Sequence, residues 1–490
     1  MVTLGQRVQV GDFYAIIKYL GPVSGTDGEW LGVEWEEEGR GKHDGSYNNV
    51  KYFDAKPLHG SFVREHKLKA GKSFSEVLKQ RYTDVTGVGD AMSIINKDNT
   101  CTNVELVGLS NADINRAAQL THLVMREESI VSVGDSSFIA EKCVNTENLD
   151  MSLNLFWDIN DILKIIQLMP KLRSIQLKGN VLTSRTISTV EEPHTSLEKI
   201  YLAGTGLSWE EFCKLAEQIP NVREVYISGA TLDIGNTPSQ VLQHLTFLDV
   251  QYSGITSWSS LDDISELPNL QTLILSNNTI SSIELLPGKF RKLEALSLDN
   301  NRLSQWSSVA ELRKLTLLKI LRIRSNPLIT GPALDMRLLV VAMLPAVHKL
   351  NGTPISANER LQADIFYLKH FATEYYKEDP SFHTIHNRYK DLVKEYGEPD
   401  TGMPKISSIK DQSILVKIAK PDGKEFEKKL LKTTLVKNLH LIVQRQCKIL
   451  PKNQKLYWID SLNEKIHLDD PTRDLAYFNI SHDVTVYVET

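Results

Sequence analysis

One recurring apolar spacing constrains this chain more than any other feature. The pattern L-x-x-L-x-L-x-x-N is carried by Leu172, Ile175, Leu177 and Asn180, and by Leu197, Ile200 and Leu202 with Thr205 in the last place. It returns at Leu270, Leu273, Leu275 and Asn278, at Leu293, Leu296, Leu298 and Asn301, and at Leu318, Leu321, Ile323 and Asn326. Weaker copies begin at Leu120, Thr146, Val222 and Leu245, so nine starts follow one another at intervals of 23 to 26 residues. In each copy the alternating apolar residues define a short strand with one face to bury. Each buried Leu or Ile contributes roughly 1.5–3 kcal/mol once a neighbour stacks on it, so a single copy cannot fold alone and the pattern demands a stacked array. The asparagine closing each strand carries an amide able to satisfy backbone groups of the turn, which gives Asn180, Asn278, Asn301 and Asn326 a structural role.

The period and template resemble those of leucine-rich repeats. Ser208-Trp209-Glu210-Glu211 and Ser308-Val309-Ala310-Glu311 read as capping boxes at helix starts on the other side of the array. Trp157, Trp209, Trp258 and Trp306 recur after the strands and are read as packing beneath those helix starts rather than as a binding stripe. Leu344, Val347 and Leu350, followed by Asn351-Gly352-Thr353-Pro354-Ile355, form a last degenerate copy that caps the array. From Ser356, with Glu359 three residues on, a helix is expected towards Tyr376.

The ends of the chain have other characters. The first 70 or so residues mix Gly, aromatics and short β-like runs at 6–10, 14–20 and 31–35, the signature of a small all-β domain. A helix is expected over 73–82 and a linker over 83–99, where Gly87, Gly89, Asp90, Asp98 and Asn99 fall. Beyond residue 413 the order is strand, turn at Pro421-Asp422-Gly423-Lys424, strand, helix over 435–447, then strands at 455–459 and 484–488. That order resembles a ubiquitin-like β-grasp. The last residues, Tyr487-Val488-Glu489-Thr490, carry no Gly-Gly pair, so the domain is expected to dock rather than to be conjugated. The expected organisation is therefore a multidomain chain. An all-β domain spans 1–72, a helix and linker 73–100, an α/β solenoid with its cap 101–355, a helical connector 356–410 and an α+β ubiquitin-like domain 411–490.

Bulk properties exclude several classes of function. Over 490 residues the net charge is −5, with no basic stripe, so nucleic acid is a poor partner. Cys101, Cys143, Cys213 and Cys447 are widely spaced, which indicates neither a disulfide framework nor a zinc site and suits a reducing compartment. The N-terminus has no apolar leader and the longest apolar stretch, 338–344, falls far short of a membrane helix, so no membrane role is expected and a cytoplasmic protein is. Neither Gly41-Lys42-His43 nor Gly71-Lys72-Ser73 has the upstream glycine of a phosphate loop, since Glu36 and His66 stand there. No GxSxG or HExxH motif occurs, and His383 and His386 have no further ligands nearby, so no enzyme, metal or other cofactor is expected.

The chemistry concentrates in Trp30-Leu31-Gly32-Val33-Glu34-Trp35, Gly41-Lys42-His43-Asp44-Gly45-Ser46, Tyr52-Phe53 and Gly60-Ser61-Phe62-Val63-Arg64. Glycines admit a ligand close to the backbone, Trp30, Phe53 and Phe62 can wall an apolar groove, and Lys42 and Arg64 place cations beside it. Such a groove suits an extended peptide that ends in an aromatic residue and a carboxylate after a run of acids. Trp30 and Phe53 equally suit the core of a small barrel, and His43 a satisfied turn residue. Lys42, between glycine and polar residues, has no packing role. Glu36, Glu37 and Glu38 read as a solvated loop.

This block resembles the CAP-Gly domain family over about residues 5–69. The resemblance implies binding of acidic, Tyr-ended tails such as that of α-tubulin, with Lys42, Asp44, Gly45 and Ser46 in the motif's places, Trp30 and Phe62 matching groove aromatics and Arg64 a basic position. His43 stands where the family has Asn, and Gly25 where some members carry a groove Phe. The order CAP-Gly, leucine-rich repeats, ubiquitin-like domain resembles the tubulin-folding cofactor E family. That resemblance implies a non-enzymatic chaperone of the cytoplasm and cytoskeleton that captures α-tubulin and works with cofactors B, C and D in assembling and dissociating the αβ dimer. A docking role of the ubiquitin-like domain, towards the proteasome or cofactor B, goes with it. The alternative is a microtubule-associated scaffold that binds tails on polymer.

Overall fold

The computed structural model describes the chain apart from residues 1, 83–90, 96–100, 106–119, 185, 230–240, 329–332, 376–379, 398–412, 461–463, 481–482 and 490. Backbone packing divides it into two compact units, Met1–Ser253 and Gly254–Thr490.

The first unit begins with four antiparallel strands, Arg7–Val10, Phe13–Pro22, Glu29–Trp35 and Gly60–Val63, hydrogen-bonded in that order. Strand alternation sends Leu31, Val33 and Trp35 into a core with Val8, Ala15, Ile17 and Val63, and leaves Trp30, Gly32 and Glu34 on the opposite face. Lys72–Ser73 then pairs in parallel with Ile130–Ser132, and helix Phe74–Tyr82 buries Phe74, Val77 and Leu78. Within the stretch expected to be a linker, Ala91–Ile95 pairs with Cys101–Glu105 as an antiparallel ladder, and the rest of that stretch lies outside the described residues.

Parallel strands follow at His122–Val124, Asn148–Asp150, Ser174–Gln176, Lys199–Tyr201, Glu224–Tyr226 and Phe247–Asp249. The second unit holds Thr272–Ile274, Ala295–Ser297, Ile320–Arg322 and Lys349–Leu350, the last closed by antiparallel Thr353–Pro354. Each of the nine strands from His122–Val124 to Ile320–Arg322 starts two residues after the start of its sequence copy, the weak copies included. The leucine-rich-repeat expectation holds to the residue, because only that register buries Leu149, Ile175, Ile200, Val225 and Leu248 together.

The asparagines explain why the register is so strict. Asn301 Nδ2 donates to the carbonyls of Leu275 and Leu298, while its Oδ1 accepts from Ile280 N at 3.1 Å. Asn326 makes the same set with Leu298 O, Ile323 O and Leu303 N, one repeat later. Both are buried, so each amide joins two repeats where water does not reach.

Of the two expected capping boxes, one forms. Ser208 Oγ accepts from Glu211 N and Glu211 returns the bond to Ser208 N, opening helix Trp209–Glu217. Ser308 instead lies inside helix Trp306–Glu311. Its Oγ accepts from Ile283 N, and the Glu311 carboxylate from Leu285 N, so both serve the backbone of the preceding repeat. Trp209 and Trp258 are buried beneath their helix starts, and Trp157 and Trp306 are half-buried.

After the cap, Ser356 Oγ accepts from Glu359 N and opens helix Ala357–His370. Short helices continue to Tyr389–Tyr396 around a cluster of Tyr367, Phe371, Phe382, His386 and Tyr389. The ubiquitin-like domain has strands Ser413–Ala419, Glu425–Leu431, Lys455–Ile459, Lys465–His467 and Val484–Glu489, with helix Val436–Cys447 across them. The first and last strands run parallel at the centre, the β-grasp arrangement. No helix among the described residues is long and apolar enough to cross a membrane.

Replacing Asn301 by alanine removes three buried bonds and strands backbone groups in two repeats. The expected loss is about 2–4 kcal/mol of array stability, read as a lowered urea midpoint of repeat tryptophan fluorescence; an unchanged midpoint would show that the amide is dispensable.

Candidate peptide-binding groove

The strand face away from the core of the first domain gathers an aromatic cluster. Phe62 stands opposite Gly32 in the ladder, and its ring lies 5.5 Å from Phe53, 5.5 Å from Tyr52, 5.2 Å from His43, 6.2 Å from Tyr47 and 6.3 Å from Tyr19. Phe53 is buried and forms the floor, while Phe62 is half-buried and Tyr47 exposed. The hydroxyls of the two flanking tyrosines fix their rings: Tyr19 donates to Pro22 O at 2.7 Å, and Tyr52 accepts from Ser24 N at 2.8 Å.

Two glycines make room for this floor. A methyl on Gly32 would lie 2.4 Å from the Phe53 ring, and one on Gly45 would lie 1.9 Å from the Phe53 carbonyl. Gly45 also sits at φ +98, a conformation that disfavours any side chain. Residue types in the motif are thus set largely by Phe53 packing under the loop.

The loop itself is pinned by its polar residues. Asp44 accepts from Ser46 N at 3.1 Å and pairs with Lys51 Nζ at 3.1 Å, and that lysine bond, with Ser46, draws its carboxyl down to about 2. Ser46–Tyr47 pairs with Val50–Lys51 as a two-residue ladder. Lys42 N and His43 N both donate to Gly60 O, which ties the loop to the strand bearing Phe62. Lys42 is exposed, and its ammonium has no hydrogen bond or ion pair among the described residues.

His43 Nδ1 accepts from Gly45 N at 3.0 Å, so the neutral ring carries its proton on Nε2. Burial lowers the pKa of the imidazole, Lys42 adds to the effect and Asp44 opposes it. Trp30 and Arg64 form a separate pair. The guanidinium stacks 3.7 Å from the indole centroid and donates to the carbonyls of Glu29 and Asp27, while Trp30 Nε1 donates to Thr26. They fasten the loop that leads into strand Glu29–Trp35. Glu36 is bound by Arg7 at 2.6 Å and Glu37 by Arg40 at 3.5 Å, so two of the three acids beside the groove are paired.

The structure therefore brings His43, Phe53 and Phe62 together with Lys42 alongside, gives Asp44, Gly45 and Ser46 to loop architecture, and sets Trp30 with Arg64 next to them. Tyr52 belongs to the block read from the sequence, whereas Tyr19 and Tyr47 join without a signal in it, because they come from two strands whose meeting depends on the sheet register. A helpful clue is the pairing of Tyr19 with Gly32, a large ring beside a missing side chain.

The family model of the CAP-Gly domain matches residues 4–68, and that of leucine-rich repeats in two copies matches residues 268–311. A Xenopus laevis protein named tubulin-specific chaperone E is 31% identical over 508 residues, covering 97% of this chain and 96% of the relative. The chain belongs to the tubulin-specific chaperone E family. The human member is 28% identical over 98% of this chain and 97% of its own length, and an Arabidopsis thaliana tubulin-folding cofactor E is 27% identical over 81% and 79%. Among solved structures, a ubiquitin-like domain of an Arabidopsis thaliana protein is 21% identical, covers 18% of this chain and 89% of its own, and has a TM-score of 0.15.

In this family member, the His43 tautomer has a measurable consequence. Because its folded pKa lies below the ordinary 6.5, the unfolded chain takes up the proton first; the stability it contributes is complete above that value and is lost as pH falls through the lowered one. An NMR titration of the His43 ring is expected to show a midpoint below 6.5 and loss of the Gly45 amide bond on protonation. A midpoint at or above the ordinary value would contradict the burial of the ring, and a Gly45 amide bond that persists on protonation would contradict the tautomer.

Proposed function

We propose that this chain is a non-enzymatic tubulin-folding cofactor that holds α-tubulin by its acidic, Tyr-ended tail in the groove and by its body on the repeats. On this reading it assists both assembly and dissociation of the αβ dimer in the cytoplasm, with cofactors B, C and D as co-workers. The observation that carries it is the exposed, uncommitted Lys42 ammonium and the Nε2–H of His43 beside the Phe62 ring, set in an otherwise self-satisfied loop. A tail carboxylate supplies the acceptor these donors lack, and a terminal aromatic ring stacks on Phe62 between Tyr47 and Tyr52.

The names of the relatives support the tubulin part of this reading, and the repeats support a grip on a folded body. Within each unit the stacked repeat strands offer an extended surface of the kind that grips a folded protein. The tail then raises the effective concentration of the body near that surface. Docking of the ubiquitin-like domain towards the proteasome belongs to the same proposal.

Lys42→Ala in the full chain is expected to weaken a Glu-Glu-Tyr tail peptide by about 1.5–3 kcal/mol, and Phe62→Ala by a similar amount, both by fluorescence titration. Equal affinity for wild type and Lys42→Ala defeats the groove assignment. Mixed with preformed microtubules, the chain is expected to deplete polymer and retain free α-subunit. Co-sedimentation with intact polymer would point to a scaffold instead.

A further inference from the structure

In the second unit, the ubiquitin-like domain is fastened to the last repeats by a buried arginine. Leu321 faces the repeat core, so Arg322 beside it lies on the opposite, outer face of strand Ile320–Arg322. Its Nε donates to Asp299 at 3.0 Å, and its Nη1 reaches Asp460 at 2.5 Å and Glu464 at 2.5 Å, both carboxylates of the ubiquitin-like domain. Arg324 completes the cluster: its Nη2 and backbone N hold the two oxygens of Asp299 at 2.9 and 2.6 Å. Side chains of Arg322 and Asp460 are 7% and 0% exposed, so this pairing is desolvated and dear to break from one side.

Beyond this cluster the contact mixes polar and apolar groups, with the Trp458 ring against Gly352. Tyr477 Oη meets Ser325 Oγ at 3.1 Å, Arg337 donates to Asn479 Oδ1 at 3.2 Å, and Gly352 approaches so closely that a methyl there would lie 3.1 Å from Asp460 Cβ. By contrast, the apolar core of the ubiquitin-like domain, from Ile414 to Val488, is drawn wholly from its own residues. A domain whose core is complete and whose attachment centres on buried ion pairs is one that can leave its seat without unfolding.

Removing it would leave two arginines facing one carboxylate, Asp299, on an outer strand face. Such a site has the chemistry to take the carboxylates of another chain. We propose that Arg322 and Arg324 form a carboxylate-binding site on the strand face of the last repeats, and that Asp460 and Glu464 keep it closed as an internal competitor for an acidic peptide segment of a partner. The ubiquitin-like domain is then an autoinhibitory latch as well as a docking module. The inference does not rest on the CAP-Gly groove, which lies in the other unit.

The test uses the full chain carrying Lys42→Ala, so that the groove contributes nothing, and a fluorescein-labelled hexaglutamate peptide without an aromatic end. Asp460→Asn with Glu464→Gln is expected to tighten peptide binding by about tenfold over the parent, the worth of one recovered charge-assisted bond, and Arg322→Gln added to that pair is expected to abolish the gain. Hydrogen exchange reports the latch separately. Amides near Asn351 and Gly352 should lose protection while those of strands Ser413–Ala419 and Glu425–Leu431 keep theirs, which marks release of a folded domain. The single change Glu464→Gln, at a half-exposed carboxylate, is the milder variant should the double change unfold the domain, and a smaller gain of about threefold is expected. Release of the folded domain without any gain in peptide affinity, a gain that survives Arg322→Gln, or unaltered protection in both variants overturns the proposal. Failure of the groove assignment would leave all these outcomes as they are.

Discussion

Strands of three residues leave most of their backbone donors and acceptors to find partners beyond the strand, and the buried asparagine amides are what meets that demand. Asn154, Asn278, Asn301, Asn326 and Asn351 each accept from a main-chain N–H of the preceding repeat; Asn154 and Asn301 also donate to its carbonyls. A leucine could fill the same volume but would strand those groups away from water, at about 1–3 kcal/mol each. The spacing from apolar strand to amide therefore cannot drift in those repeats, and the outward positions of their strands are fixed along with it. Arg322 has a defined address because Asn301 and Asn326 set the height of its strand.

The flanking domains exploit that fixed scaffold in one chemical way. In the first unit, Arg7 binds Glu36 of its own domain and donates to the carbonyls of Asn154 and Gly179 at 2.9 Å, while Gly5 O accepts from Thr183. In the second, Arg322 spans Asp299 and the carboxylates of the ubiquitin-like domain. Guanidinium is suited to both tasks because its planar donors serve two partners at once and its charge is never lost by deprotonation. The apolar core of the ubiquitin-like domain is drawn from its own residues, and a guanidinium bonded to carboxylates or carbonyls stands at each join.

Legibility in the sequence followed the range of each interaction. Repeats were readable down to weak copies at Leu120 and Val222 because the period recurs and each copy checks the next. The strands of the ubiquitin-like domain were readable at 455–459 and 484–488, whereas Lys465–His467 is too short to show a pattern. Ser308 and Glu311 mimic a capping box in spacing, but their partners are Ile283 and Leu285 of another repeat, a choice made by stacking rather than by local sequence. The bond between Arg322 and Asp460 crosses 138 residues and leaves no trace in either neighbourhood. Likewise Tyr19 and Tyr47 join Tyr52 around Phe62 only once the strands are in register.

The motif of the first domain shows how little of a recognisable signature needs to touch a ligand. Gly32 and Gly45 are required by the Phe53 ring and carbonyl beneath them, Asp44 by Ser46 and Lys51, and Arg64 by Trp30 and two carbonyls. What this architecture leaves unspent is one ammonium, one imidazole N–H and one face of a phenyl ring. His43 fits that arithmetic: its Nδ1 takes the loop bond from Gly45 N, which leaves Nε2 as the donor of the neutral ring, and burial lowers the imidazole's pKa. On the proposed reading, Lys42 supplies charge and Phe62 shape towards an acidic chain end, and the surrounding residues hold those two in place.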